Sequence, residues 1–194
     1  MTIKILGVGS SMRQGSFSTE ALKIVLDFAK QNGAQTRLLD LQQTQLPMLY
    51  SNNQETKEIQ KVTDDVKWAE AFILATPDYH GSMSGSMKNF LDYFWSVFAG
   101  KLFGYICASH EKGLTVMDQM RTAVRQCYGW SMPYGISVNG EEDFNGVEIT
   151  NDKIKSRLEM LARDLVVYGK PIREQFVTDL QGTESNTFAA HYRK

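Results

Sequence analysis

The chain has 194 residues, 42% of them hydrophobic and 22% charged, and 21 basic against 22 acidic side chains leave a net charge of −1. That length supports one well-buried core without staples, and the near-zero charge excludes a broad attraction to nucleic acid or to an anionic membrane surface. Two cysteines, Cys107 and Cys127, make no disulfide framework and are expected to be reduced packing residues.

In chain order, residues 3–8 form a short apolar run suited to a central strand buried on both faces. The chain enters that run directly from its first residues, so no signal peptide is expected. No apolar run approaches the ~18 residues of a membrane helix, so a cytoplasmic protein is expected. After a polar turn at 10–18, Leu22, Val25, Leu26 and Ala29 recur at helical spacing and Gly33 ends the helix. Ser18 is its expected N-cap, with Glu20 in the first turn.

Residues 36–41 read as a second strand and 42–53, with Pro47, as a loop. Ile59, Val62, Val66 and Ala69 mark one face of a second helix. Residues 72–75 form a third strand, closed by Thr76-Pro77 because proline cannot donate to a sheet ladder. Met87, Phe90, Leu91, Phe94, Trp95 and Phe98 lie on the helix that follows. Residues 103–108 make the fourth strand, Leu114, Met117, Met120 and Val124 the next helix, and 132–138 the fifth strand. An acidic, turn-rich connection containing Gly140 fills 139–145. Ile154, Leu158, Leu161, Leu165 and Tyr168 lay out the last helix, which Pro171 is expected to stop. Residues from about 171 to 194 then form an extension without periodicity, either a strap over a neighbouring subunit or a partly disordered tail.

Five strands alternating with five helices predict an α/β three-layer sandwich over one domain, 1–194, with a parallel sheet and right-handed crossovers. The flavodoxin-like strand order 2-1-3-4-5 sets strands 1 and 3 side by side, with the ligand crevice at the switch point between them. The two most polar strand-to-helix turns follow those two strands.

The first turn is Ser10-Ser11-Met12-Arg13-Gln14-Gly15-Ser16-Phe17-Ser18. Ser11, Ser16 and Ser18 offer hydroxyls, Arg13 a fork of donors, and the following helix its free N–H groups, a set that suits a phosphate. It has neither the Gly-Lys-Ser/Thr of a Walker loop nor the glycines of a dinucleotide fingerprint, and a serine-rich helix cap is the plainer alternative. The second turn is Thr76-Pro77-Asp78-Tyr79-His80-Gly81-Ser82. Pro77 fixes the backbone, Gly81 permits close approach, Tyr79 offers a wall, His80 a hydrogen bond, and the amides of 78–82 a polar edge for a flat ring. Phosphate and ring side by side describe a mononucleotide cofactor. The stripe through Phe98, widened by Tyr93 and Trp95 to about 200°, exceeds the ~100° that one core takes. The excess is expected to bury against a second copy near that cofactor, in a homodimer or homotetramer.

These segments resemble the NADPH-dependent FMN reductase family, which includes quinone, azo-dye and chromate reductases. The family's phosphate loop has the form G-S-x-R-x-x-S-x-N, and its ring loop T-P-E-Y-x-x-S-x-S/P-G-x-L-K-N. Here the second runs Thr76-Pro77-Asp78-Tyr79-His80-Gly81-Ser82-Met83-Ser84-Gly85-Ser86-Met87-Lys88-Asn89. Ser10 stands for the usual glycine, Ser18 for asparagine and Asp78 for glutamate, and the loop after strand 4 is Ser109-His110-Glu111-Lys112-Gly113. The resemblance implies that Ser11, Arg13, Ser16 and Ser18 hold the phosphate of FMN. Pro77, Asp78, Tyr79, His80, Gly81 and Ser82 would hold the ring and ribityl chain, and Ser109 would join them from the neighbouring loop, with His110 bordering the nicotinamide or substrate.

The implied activity is hydride transfer from NADPH or NADH to bound flavin, then reduction of a small acceptor such as free FMN, a quinone or an azo compound. Because the cofactor carries that chemistry, no catalytic side chain and no metal are expected. The alternatives are a flavodoxin-like electron carrier, which the near-neutral charge disfavours, and a flavin-binding module without turnover. No basic cluster in the sequence marks a site for the 2′-phosphate that separates NADPH from NADH.

Overall fold

The computed structural model describes residues 2–50 and 55–193, so the expected loop at 42–53 lies outside the described residues from position 51 on. Four parallel strands, β1 (Lys4–Gly9), β2 (Gln35–Asp40), β3 (Ala71–Pro77) and β4 (Leu102–Ala108), are ordered β2-β1-β3-β4. The fifth position beyond β4 holds two short strands, β5 (Trp130–Ser131) and β6 (Ile136–Val138), where one continuous strand was expected. Pro133 lies between them and has no N–H for the ladder, which divides the strand. The sheet order and its parallel sense are those expected from the alternating pattern.

Register places the site. Gly9 pairs with Ala75, so β1 ends level with the last turn of β3, and Pro77 pairs with Ala108 at the end of β4. The loops leaving β1, β3 and β4 therefore emerge at one rim.

Alternation along the strands feeds two cores. Ile3, Ile5 and Ile73 face α1 (Phe17–Gln31) and the long terminal helix, while Leu6, Val8, Phe72 and Leu74 face the opposite layer. That layer comprises α2 (Lys57–Trp68), α3 (Gly85–Asp92) and α4 (Leu114–Gln126). Beyond β6 come α5 (Gly140–Asp143) and a small antiparallel hairpin, β7 (Phe144–Asn145) with β8 (Glu148–Ile149). The terminal helix, α6, spans Asp152–Gln181. No helix among the described residues is long and apolar enough to cross a membrane.

Three expectations need correction. The aromatic stripe is not one helix face, because α3 ends at Asp92 and a 3-10 turn at Ser96–Phe98 follows. This change of geometry brings Phe98 within 5.3 Å of the Phe72 ring and 5.2 Å of Phe103, centre to centre, and turns Trp95 outward, 66% exposed. Pro171 does not stop α6, which passes through it. The proline forfeits only the N–H that would reach the carbonyl of Val167, while Leu165, Gly169 and Phe176, buried on either side, hold both halves in place. The tail is not loose, because through residue 193 it packs on its own chain. Phe188 and Tyr192 close on Phe176 and Tyr128, and the Arg193 guanidinium donates to the carbonyls of Asp179 (2.7 Å) and Glu184 (2.6 Å) at the end of α6.

Candidate functional site

The first turn is fastened to the sheet by Ser10. Its N–H and its hydroxyl both donate to the carbonyl of Ala75, at 3.0 and 3.1 Å. Ser11 Oγ accepts from the N–H of Arg13 at 3.2 Å. Gly15, at φ +64, reverses the chain, and a side chain there would meet nothing within 4 Å, so the need for glycine is conformational. The N-cap of α1 is Ser16 rather than the expected Ser18. Ser16 Oγ is paired with Ser18 Oγ at 2.9 Å and does not cap, so the first N–H groups of a 15-residue helix receive no side-chain acceptor. The exposed Arg13 guanidinium forms no hydrogen bond or ion pair among the described residues.

The second turn is a two-residue hairpin. The N–H of Tyr79 donates to Ser82 O at 2.9 Å and that of Ser82 to Tyr79 O at 3.2 Å. Between them His80 and Gly81 lie at φ +57 and +76, the pattern a tight primed turn requires. Asp78 braces it from below. One carboxylate oxygen accepts from the N–H of Gly81 at 2.8 Å and the other from Ser109 Oγ at 2.9 Å, tying the loop after β3 to the loop after β4. Burial, and then the Asp78 charge, push the nearby Cys107 thiol up to about 12, so it stays protonated and inert. Ser82 Oγ donates to Gln119 of α4 at 2.9 Å. The amides of Asp78, Tyr79, Gly81 and Ser82 are thus satisfied within the protein, and among 78–82 only the N–H of His80 is left for a ligand. This corrects the expectation of a row of free amides.

A buried hydroxyl cluster joins the two turns. Ser84, the N-cap of α3, accepts from Met87 N–H and donates to Ser10 Oγ at 2.8 Å. Its own N–H donates to Thr76 Oγ1 at 3.0 Å, and Ser86 Oγ donates to the Ser10 carbonyl.

Between the turns lies a cavity of about 690 Å³. Nine of the eleven expected site residues line it: Ser11, Arg13, Ser16, Pro77, Asp78, Tyr79, His80, Gly81 and Ser109. Ser18, fully buried, and Ser82, turned toward α4, do not. Sequence reasoning missed Asn139, Gly140 and Glu141, which close the cavity from the loop after β6. Their position just beyond a strand's carboxyl end was the available signal. A second cavity of about 1220 Å³ adjoins the first and shares Asp78, Gly81, His110, Glu111 and Asn139 with it.

The sequence profile of the NADPH-dependent FMN reductase family matches residues 3–143, which include both turns and every strand of the sheet. The chain belongs to that family. Among curated relatives, the NADPH azoreductase of Bacillus sp. (strain OY1-2) is 29% identical over 109 residues, 53% of this chain and 61% of that protein. The NAD(P)H-dependent FMN reductase of Pseudomonas aeruginosa is 30% identical over 95 residues, 47% of this chain and 49% of that protein. The chain thus spans about half to six-tenths of the length of these two relatives. Among solved structures, an NADH:FMN oxidoreductase in its apo form superimposes with a TM-score of 0.75 at 17% identity, covering 86% of this chain and 90% of that one.

Proposed function

We propose that the cavity between the two turns holds flavin mononucleotide and that the protein is an NAD(P)H-dependent oxidoreductase acting on a small acceptor such as free FMN, a quinone or an azo compound. The observation that carries this reading is the donor set at one end of the cavity. An unpaired guanidinium, the Ser11 and Ser16 hydroxyls and the uncapped first turn of α1 converge beside Gly15, and a phosphate dianion satisfies all of them. The other end is walled by Pro77 and Tyr79, and the cavity volume falls in the range of sites for molecules of this size.

In this reading Arg13 neutralises the phosphate, and the α1 terminus and the hydroxyls orient it. The hairpin at 78–82 lies against the ring, with the His80 N–H at its polar edge, while Asp78 and Ser109 fix the spacing of the two loops that flank it. Bound flavin supplies the hydride and electron chemistry itself, so the residues need only bind and orient. The names of the two curated relatives support the azo and flavin acceptors. Initial rates with NADPH and FMN, or with a quinone, test the activity. Parallel double-reciprocal lines without any partner protein support it, and no NADPH consumption refutes it.

The exposed side chains are Trp95, between α3 and the 3-10 turn, and Met48 and Leu49, in a loop bound to α3, where Leu49 N–H donates to Asn89 Oδ1 at 3.0 Å. This face is proposed to pair two copies of the chain. Sedimentation at micromolar concentration is expected to show a dimer that Trp95→Glu dissociates, and a monomeric parent would refute the pairing.

A further inference from the structure

Gln119 lies on α4 and lines neither cavity, yet its side chain meets three consecutive residues, 81–83, of the ring-side hairpin and its exit. Oε1 accepts from Ser82 Oγ at 2.9 Å and from the N–H of Met83 at 3.3 Å, and Nε2 donates to the Gly81 carbonyl at 3.1 Å. A backbone N–H only donates and a carbonyl only accepts, so these partners fix which way the amide points. The helix that carries it is anchored by Val116, Met117 and Met120, all buried in the core.

The bond to Gly81 begins a chain that ends at the flavin cavity. A trans peptide unit sets its C=O and N–H on opposite sides. The unit that accepts from Gln119 at Gly81 O donates through the Ser82 N–H to Tyr79 O at 3.2 Å. The unit that accepts there carries at its other end the His80 N–H, the one amide of 78–82 with no acceptor among the described residues. Each accepted bond polarises its peptide and strengthens the donor at the far end. Two peptide dipoles thus stand in series between Gln119 and the place of the ring.

We infer that Gln119 is a positioning residue for hydride transfer, aiming the hairpin and strengthening the His80 N–H toward the negative charge that flavin gains on reduction. The inference rests on the oxidoreductase reading and adds to it a residue outside the cavity that raises the flavin's reduction potential. In that step the C–H bond of the dihydronicotinamide breaks, the nicotinamide is oxidised, and the hydride carries its proton and both electrons to the ring. A stronger donor at the ring's polar edge favours the charge that arrives.

The test uses two variants. Q119M keeps the length of the side chain and removes its donor and its acceptor, whereas Q119E keeps an acceptor for Ser82 and Met83 and loses only the donor to Gly81. In isotope-labelled, flavin-free protein the Ser82 amide proton is expected to move upfield in both variants, the mark of a weaker bond to Tyr79 O. In the FMN-loaded protein the affinity for reduced over oxidised flavin is expected to fall about threefold in Q119M, a two-electron midpoint potential lower by ~14 mV. A role in packing alone would lower the melting temperature and leave both readouts at their parent values. A parent-like potential in Q119M, or a parent-like Ser82 resonance in Q119E, overturns the inference. A parent that binds no FMN overturns the cofactor reading instead, and the Ser82 resonance still decides the hydrogen-bond chain.

Discussion

Ser84 Oγ donates to Ser10 Oγ across 2.8 Å in a fully buried setting, and the two residues are 74 positions apart in the chain. Through this bond the turn after β1 and the turn after β3 form one rigid rim. Ser84→Ala removes the donor and the cap of α3 together. The expected cost is about 2 kcal/mol, a fall in Tm of ~4–8 °C for a chain of this size, and weaker flavin retention. Thermal melts of the flavin-free protein separate the two effects. An unchanged melt would show that the rim does not depend on the link.

Arg13 contrasts with Ser84, because its guanidinium is exposed and supports no protein contact among the described residues. Arg13→Ala is therefore expected to leave the apo-protein melt within about 1 °C of the parent, since surface changes away from structural contacts cost little. The dissociation constant for FMN should rise by roughly 10- to 100-fold, the value of a charge-assisted pair. Flavin fluorescence quenching measures it, and equal affinity in parent and variant would remove Arg13 from the phosphate site.

Asp78 is expected to act through the loops it braces. Asp78→Ala leaves the Gly81 N–H and the Ser109 hydroxyl without their acceptor. The hairpin should then open more often, at a cost of about 1–3 kcal/mol for lost bonds to a charged group. Hydrogen exchange of the Gly81 amide is the direct measure, with faster exchange in the variant expected. Protection equal to the parent would contradict the bracing role.

At the opposite end of the sheet, Lys101 is buried and donates to the Val66 carbonyl at 3.1 Å. Burial first, and then the Arg173 charge, bring its pKa down to about 7. In the unfolded chain a lysine keeps its proton to about pH 10.4. From pH 7 to about 10 the unfolded state therefore binds more protons than the folded state, and stability rises with pH. Below 7 both states are charged, this slope vanishes, and the full burial penalty remains. The urea midpoint is expected to be higher at pH 9 than at pH 6, and K101M should raise the pH 6 value and flatten the rise. Identical pH dependence in parent and variant would contradict the assignment.

The sheet was legible in the sequence because its inner strands are buried on both faces and show as unbroken apolar runs. The ends of elements were less so. Pro171 signals a stop, yet buried residues on both sides of it keep α6 continuous, and the ring packing of Phe98 overrides the helical spacing that begins at Met87. The tail has no periodicity to read because aromatic contacts from Tyr128 and Phe176, distant in sequence, order it. At the site, the cavity residues near the two turns were readable from local chemistry. The Ser10–Ser84 link was not, since it depends on a pairing that only the folded register creates, and the closing loop at Asn139 was marked only by its place after the last strand. The free amides expected at 78–82 failed for a local reason, because a two-residue hairpin consumes its own donors.

The most direct measurement is made in one cuvette. Flavin-free protein is titrated anaerobically with FMN, and NADPH is then added. One-to-one binding is expected, with a resolved yellow spectrum that NADPH bleaches without any second protein. Failure to bind FMN would contradict the assignment of the cavity, and bound flavin that NADPH leaves yellow would contradict the reaction.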